Sequence, residues 1–336
     1  MADQRKGGIA WTEHTWGPIR GCSRVNASCI NCYAEAVAVR FSGDGLPYEG
    51  LVRISKKDGT RLGWNGVVRR VDKHMLDPVR WQRGRHIFVN SMSDMFHENL
   101  PFNDIAAIFG IMAAAPQHTF QVLTKRPQRA LDFFAWAAEQ DAGLAGVPGR
   151  LHCLMAALDW EREYDPKGDG GILHCKHGAD PDGPWPLPNV HLGVSVGDQK
   201  EADEFVPLAI QYPASVVWIS QEPQHGAIEY RSEWLAKIGW IVIGGESGPN
   251  ARPFNIAWAE NTIAQCRENH VPVFVKQMGS FPMIEVRDPF DETTYTWKNA
   301  SKLVPLRLKD GHGGDPAEWP ECLRVREWPV GYLPTP

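Results

Sequence analysis

The stretch "HIFVNSMSDMFHENLPFNDIAAIFGIMAAAPQHTFQVLTKR", residues 86–126, decides the fold. It opens with a short apolar run that ends in polar residues, HIFVNS (86–91). It continues as FNDIAAIFGIMAAA (102–115), where apolar side chains recur at about 3.6-residue spacing, and returns to a second short run, TFQVLT (119–124). Near-continuous apolar runs of this length read as strands buried on both faces. A strand, a helix and a strand in this order predict two parallel neighbours joined by a crossover.

The same pattern extends outward to VHLGVSV (190–196), SVVWIS (215–220), WIVIGG (240–245) and VPVFVK (271–276). Further helical candidates are QRALDFFAWAAEQ (128–140) and NIAWAENTIAQCREN (255–269). The asparagines of "PFND" and "RPFN" are expected near helix starts as caps. One more strand around GIAW or TWGPI, ahead of the 86–91 run, brings the total to about six or seven βα units. This predicts an α/β fold, a complete or partial (β/α) barrel, with an open doubly wound sheet as the alternative. The barrel is expected over 1–279, with an insertion at about 141–188 that shows little periodicity. Residues 280–336, rich in proline and charge, read as a small C-terminal extension. Neither of these two regions shows repeats.

Either architecture puts the chemistry at the C-terminal ends of the strands. The candidates there are Asn90, Ser91, Ser93 and Asp94; Thr124, Lys125 and Arg126; Ser195; Ser220 and Glu222; Gly244, Gly245 and Glu246; Lys276 and Gln277. A cation at Lys125 or Arg126 suits a carboxylate or phosphate. Ser195 and Ser220 suit ribose hydroxyls, with Asp198 and Gln199 just beyond. Gly244, Gly245 and Gly248 allow close backbone approach, although no G-x-G-x-x-G is present. Arg252 is expected equally as a structural partner for one of the two glutamates or as leaving both free for a functional role. His97 and Glu98 have the chemistry of an acid–base pair, but a histidine beside a helix start reads as a capping or packing residue.

A net charge of −5 over 336 residues argues against coating nucleic acid by bulk electrostatics, while leaving room for a local basic groove. Arg69, Arg70, Arg80, Arg83 and Arg85 are candidates for such a face, or for a solvated one. No apolar run approaches a membrane span, and the N-terminus lacks the apolar stretch of a signal peptide, so a cytoplasmic protein is expected.

Three of the seven cysteines lie within "RGCSRVNASCINCYAEA", residues 20–36, at Cys22, Cys29 and Cys32. In a reducing compartment cysteines are metal ligands, catalytic groups or buried thiols more often than disulfides, and thiolates select zinc or iron–sulfur clusters. A structural zinc with His14 as fourth ligand is one reading. A four-cysteine cluster completed by Cys153, Cys175, Cys266 or Cys322 is another. The insertion holds His152, Cys153, His174, Cys175 and His177, a possible zinc set of its own.

The cysteine loop resembles that of radical S-adenosylmethionine enzymes, whose usual spacing is C-x3-C-x2-C; here it is C-x6-C-x2-C. More specifically the chain is similar to a phage-associated three-cysteine family of unknown function that is radical-SAM-like. The matching pieces are "TWGPIRGCSRVNASCINCYAE", "IFVNSMSDMFHE", "VLTKRPQR", "WPLPNVHLGVSVGDQ", "ISQEP", "WIVIGGESGPNARP" and "FVKQMG", in order from residue 15 to 279. The resemblance implies a [4Fe–4S] cluster on Cys22, Cys29 and Cys32, with S-adenosyl-L-methionine on the fourth iron. It also implies reductive cleavage to a 5′-deoxyadenosyl radical and an electron donor such as flavodoxin or ferredoxin. Candidate cofactor contacts are Ser93, Asp94, Thr124, Lys125, Ser195, Ser220, Glu222, Gly244, Gly245, Glu246 and Lys276. Ser93 and Asp94 stand where the family's glycine-glycine-glutamate element contacts the methionine moiety, and "GGES" comes late instead. Asn31 replaces the usual aromatic residue before the last cysteine, and Tyr33 follows it. A nucleotide or nucleic-acid substrate, as in the distantly similar spore photoproduct lyase, is the implied chemistry. The rival is a non-catalytic zinc- or cluster-stabilised binding module.

Overall fold

The computed structural model describes residues 9–142, 149–164, 183–287, 290–291, 296–297 and 301–329. In chain order β1 (His14–Trp16) and β2 (Ile19–Arg20) lead to the cysteine loop and helix α1 (Tyr33–Arg40). Then come the short strands β3 (Val52–Ile54), β4 (Arg61–Trp64) and β5 (Arg69–Arg70), and α2 (Asp77–Arg80). The core units follow: β6 (His86–Val89), α3 (Phe102–Ala113), β7 (Thr119–Thr124), α4 (Pro127–Gln140), α5 (Arg150–Tyr164), β8 (Val190–Ser195), α6 (Gln199–Ala209) and β9 (Val216–Gln221). After α7 (Ser232–Leu235) run β10 (Trp240–Gly244), β11 (Phe254–Asn255), α8 (Ile256–Glu268) and β12 (Val273–Gln277). Last are β13 (Pro282–Arg287), β14 (Phe290–Asp291), β15 (Thr296–Trp297) and β16 (Ser301–Pro305).

Seven strands form one parallel sheet in the order β1-β6-β7-β8-β9-β10-β12. The order follows the chain without reversal. A doubly wound sheet needs a point where strand order turns back, so that alternative is excluded. Right-handed crossovers of one sense stack the helices on a single face, and the sheet curls as a half-barrel whose first and last strands are not paired.

Period-2 alternation and the parallel register sort the side chains of the concave face into layers. Gly193, Trp218 and Trp240 lie side by side, and Ser195, Ser220, Val242 and Phe274 form the next layer up. Trp11, Phe88, Trp218, Trp240, Val242 and Phe274 pack as one buried cluster. Trp11 meets Phe88, Trp218 and Trp240 at centroid distances of 4.8, 5.3 and 6.0 Å. This aromatic plug fills the N-terminal half of the curl. Gly193 is required beside it, because a Cβ there would lie 2.6 Å from the Trp218 ring.

The segment after β12 returns to cover that strand's open edge. Val275 N–H donates to Val325 O at 2.9 Å and Glu327 N–H to Val273 O at 3.0 Å, so the edge is not left as a pairing template. The extension thus completes the sheet, and β13 pairs with β11 and β16.

Every expected strand is present, within two residues at most ends. Of the two expected caps, Asn255 accepts Ala257 N–H at 3.0 Å, but α3 starts after Pro101 with no side-chain cap. The insertion region contains α5, which packs against α3. At Gly110 the two backbones touch: a Cβ would sit 2.1 Å from Cys153 O and 2.6 Å from Ala157 Cβ. Alanine normally stabilises a helix relative to glycine. Here the sign reverses, and Gly110→Ala should cost about 1–3 kcal/mol by overpacking, read as a lower urea midpoint at unchanged slope.

Candidate functional site

Strand β2 is followed by Gly21, whose φ of +95° and closeness to Val67 O (2.0 Å from an added Cβ) exclude any side chain. The chain then crosses the C-terminal mouth of the half-barrel as the cysteine loop, ending at Cys32, the residue that caps α1. Its polar non-cysteine residues are tied down on three sides. Ser23 meets His97 Nε2 at 2.9 Å, donates to Glu98 at 3.0 Å and accepts from Arg126 at 2.7 Å. Ser28 donates its hydroxyl to Glu201 at 2.7 Å and lies 3.2 Å from His225 Nε2. Asn31 donates to Glu246 at 3.0 Å and to Asn250 O at 2.8 Å, while Arg252 donates to Ala27 O at 3.1 Å. Tyr33 OH reaches Ser91 O, and Arg24 pairs with the buried Glu35, which also accepts Trp64 N–H at 2.9 Å.

The three thiols make no side-chain bond to the braces; Asn26, whose Nδ2 is buried without a partner, is the one polar residue of the loop not tied down. Cys22 and Cys29 make only long contacts, to Ser23 O (3.4 Å) and Asn26 Oδ1 (3.6 Å). All three are half-buried and reduced. Burial pushes the Cys22 thiol up to about 12, helped by Asp94 and opposed by Arg126, and the charges of Cys32 and Cys29 raise it further. Burial likewise raises Cys32, against nearby donors and Lys125. Neutral thiols of this kind become thiolates when a cation arrives.

Among the described residues no three or more His, Cys, Asp or Glu side chains are already gathered as a metal-binding group. The donor set nevertheless fits an iron–sulfur cluster in its chemistry. It is three soft ligands on one braced loop, each within electrostatic reach of the others, beside the cations of Lys125 and Arg126.

The strand-end candidates divide into two groups. Below the loop, Lys125 Nζ donates to Ser195 Oγ at 2.9 Å, Ser195 Oγ donates to Glu222 O at 3.1 Å, and Lys276 pairs with Glu222. Ser220 stands level with Ser195 in the register, and Gly244 faces Glu222, where an added Cβ would fall 3.4 Å from that side chain. These groups line the interior just above the plug.

The second group braces the loop. Asp94 is buried and accepts from Thr124 Oγ1 (2.8 Å), Lys125 N–H (3.1 Å), Phe96 N–H (3.0 Å) and Arg126 (3.0 Å). Ser93 donates to Ile19 O at 2.9 Å. Glu246 accepts two bonds from the Arg252 guanidinium (3.0 and 2.8 Å) and one from its backbone N–H (2.8 Å). Gly245 must be glycine, since a Cβ would meet Met278 O at 2.2 Å. Gln277 bonds Gly245 O and Ser247.

His97 is fully buried. Its Nδ1 accepts Asn99 N–H at 3.1 Å, so Nε2 carries the proton facing Ser23, and burial, then Arg126, lower its pKa. Both of its ring nitrogens are thus hydrogen-bonded, one to the cysteine loop. Burial opposes ionisation of Glu98, but the Arg126 hydrogen bond outweighs it and brings Glu98 down to about 2. Arg252 and Asn31 overcome burial in the same way and lower Glu246. A carboxylate depressed on folding adds stability above its ordinary value of 4.5 and loses it as pH falls through the folded value. The loop should therefore loosen between about pH 4.5 and pH 2, seen as faster hydrogen exchange over residues 22–32.

Several alternatives fall away. His14 lies at the N-terminal end of β1, bonded to Arg85 at 2.7 Å and stacked near Trp81, at the opposite end of the strands from the cysteines. Cys153 is buried in α5 and Cys266 in α8, and Cys322 bonds Glu260 at 3.0 Å, so none of them faces the loop. His152 lies beside Asn103 and Trp136, while His174, Cys175 and His177 lie outside the described residues. Arg70 is spent on Asp72 and Asp104, and Arg85 stacks on Trp81 at 5.1 Å, so Arg69 to Arg85 do not form one free face. Asp198 caps α6 through Glu201 N–H at 2.9 Å, and Gln199 bonds Glu229.

Sequence reading misses the braces Ser28, Glu201 and His225. One signal was available: "DQKE" at 198–201 has a capping-box spacing, but Glu201 turns back to Gly197 N–H (2.7 Å) and onward to Ser28.

A parallel half-barrel with three free thiols at its C-terminal mouth is the class of protein that fold and site define. The family model described as protein of unknown function (DUF5131) matches residues 6–310, and the chain belongs to that family. No curated protein and no solved structure matches the chain. Among the described residues no helix is long and apolar enough to cross a membrane.

Proposed function

We propose that this protein is a radical S-adenosylmethionine enzyme, with Cys22, Cys29 and Cys32 as ligands of a [4Fe–4S] cluster, acting on a nucleotide or nucleic-acid substrate. The observation that carries the reading is the division of labour in the loop. Nearly every polar side chain between 23 and 31 is bonded into the scaffold, while the three thiols are left to a ligand. When bound and reduced, the cluster would supply the electron that splits S-adenosylmethionine into methionine and a 5′-deoxyadenosyl radical.

The chain's own residues bind, orient and exclude water. Lys125 lies within electrostatic reach of Cys32 and, among the described residues, makes no ion pair, so it is assigned the methionine carboxylate. Ser195 and Ser220, with the Glu222 carbonyl, offer hydroxyl and carbonyl partners at ribose height. The Lys276–Glu222 pair stands one layer nearer the mouth than these serines, and the aromatic plug beneath them closes the interior to bulk water. Asp94, Thr124, Arg126, Glu246 and Arg252 hold the loop in position.

Anaerobic reconstitution tests the reading. About four irons and four sulfides per chain, and 5′-deoxyadenosine formed from S-adenosylmethionine under a low-potential reductant or reduced flavodoxin, are the expected results. Stoichiometric zinc in a colourless protein with no turnover would instead support the binding module. Lys125→Met should then weaken S-adenosylmethionine binding by at least about tenfold, at about 1.5–3 kcal/mol for a charged hydrogen bond, with iron content unchanged; equilibrium dialysis against labelled cofactor reads it.

A further inference from the structure

The charge of this chain is segregated. Residues 20–70 hold nine lysines and arginines against four aspartates and glutamates, although the whole chain holds 35 against 40. One of those four acids, Glu35, is buried under Arg24. Among the described residues Arg53, Lys56, Lys57 and Arg61 are exposed on the β3–β4 hairpin with no ion-pair partner. Arg20 and Arg69 both donate to Pro47 O, at 3.2 and 3.1 Å, so two guanidiniums are held side by side on a carbonyl rather than an acid.

The same segment carries exposed apolar side chains. Phe41, Ile54, Leu62 and Val67 are all at least 40 % exposed, and Arg40 sits over the Phe41 ring at 5.3 Å. The hairpin is continuous with the mouth of the half-barrel. Its buried residues Leu51, Val52 and Trp64 pack with Ala34, Ala38, Cys22 and Cys32 in one cluster.

We infer that the basic β3–β4 hairpin, together with the exposed Phe41 at the end of α1, is a docking surface for single-stranded nucleic acid, delivering an unpaired nucleotide to the cysteine-lined mouth. The inference deepens the proposed function by naming the polymer its substrate belongs to. Unpaired cations attract a phosphate backbone, and exposed rings accept unstacked bases. A duplex offers phosphates but no π-faces to Phe41. The acidic remainder of the chain repels the polymer elsewhere and restricts binding to this face.

The test is fluorescence anisotropy of labelled oligonucleotides with the full chain, in the absence of S-adenosylmethionine, so it does not depend on turnover. Single strands should bind at least tenfold tighter than the matching duplex. The triple variant Arg53→Glu/Lys56→Glu/Lys57→Glu should lose at least tenfold in affinity and lower the salt slope by about 2, at about 0.7 per lost phosphate contact. Phe41→Ala should cost about fivefold or more on single strands only. Lys237→Glu and Arg267→Glu, exposed outside this face, should change nothing. Equal binding of duplex and single strand, or an unchanged triple variant, overturns the inference. So does binding to anionic phosphatidylserine vesicles without binding to oligonucleotides. A chain that cleaves S-adenosylmethionine yet ignores oligonucleotides sinks this inference and leaves the proposed function standing; the reverse result does the opposite.

Discussion

Cys29→Ala should leave the protein folded and unable to hold its iron. Cys29 is half-buried, and its thiol makes one long hydrogen bond, to Asn26 Oδ1 at 3.6 Å, so truncation removes little packing and no firm hydrogen bond. A change of stability within about 0.5 kcal/mol is expected, as for other substitutions away from the core. The chemical loss is total by comparison. With two thiolates left, the cluster has too few protein ligands to survive, and the visible absorbance of the reconstituted protein and its formation of 5′-deoxyadenosine should both fall to background. Cys22→Ala and Cys32→Ala should match it in iron content. Cys322→Ala should keep its full complement, because that thiol is exposed and bonded to Glu260 outside the mouth. Normal iron in Cys29→Ala would show that the ligand assignment is wrong.

The strands were legible because each is a short apolar run with a defined end, and a parallel sheet buried on both faces writes that pattern without interruption. Their sequential pairing was not legible, since barrel and doubly wound sheets share the same strands and differ only in order. Helix α5 was hidden by its composition. Its Arg150, Glu161 and Trp160 are buried alongside Cys153 and Leu154, so its sequence carries no clean apolar stripe. The β3–β4 hairpin was missed because its strands are only three and four residues long, too short to show an alternating pattern.

For the site, residue types at strand ends pointed to the right positions but not to the roles. Asp94 and Lys125 look alike as polar strand-end candidates. Only the fold shows that one is saturated by four donors while the other points a free cation toward Ser195. The braces on Ser28 come from 173 and 197 residues away, a separation at which no local pattern carries information.

The distinction between braces and binders has its largest consequence at Arg126. Its side chain and that of Asp94 are 9 % and 8 % exposed, and they meet at 3.0 Å, so this is a buried ion pair with hydrogen bonds on every side. Arg126→Met leaves Asp94 charged and buried with three neutral donors. Removing one partner of such a pair costs about 3–5 kcal/mol, far more than the pair itself contributes over an apolar replacement. The same guanidinium also holds Ser23 and Glu98, so the loop carrying Cys22 should lose its anchor to β7. The expected result is a urea midpoint well below wild type, together with faster hydrogen exchange at residues 22–24. The double variant Arg126→Met/Asp94→Asn should recover part of the stability, because the unpaired charge is gone. It should not recover the slow exchange of the loop, because Ser23 still lacks its donor. If Arg126 instead served only to bind a cofactor carboxylate, the single variant would be as stable as wild type and would differ from it only in S-adenosylmethionine affinity.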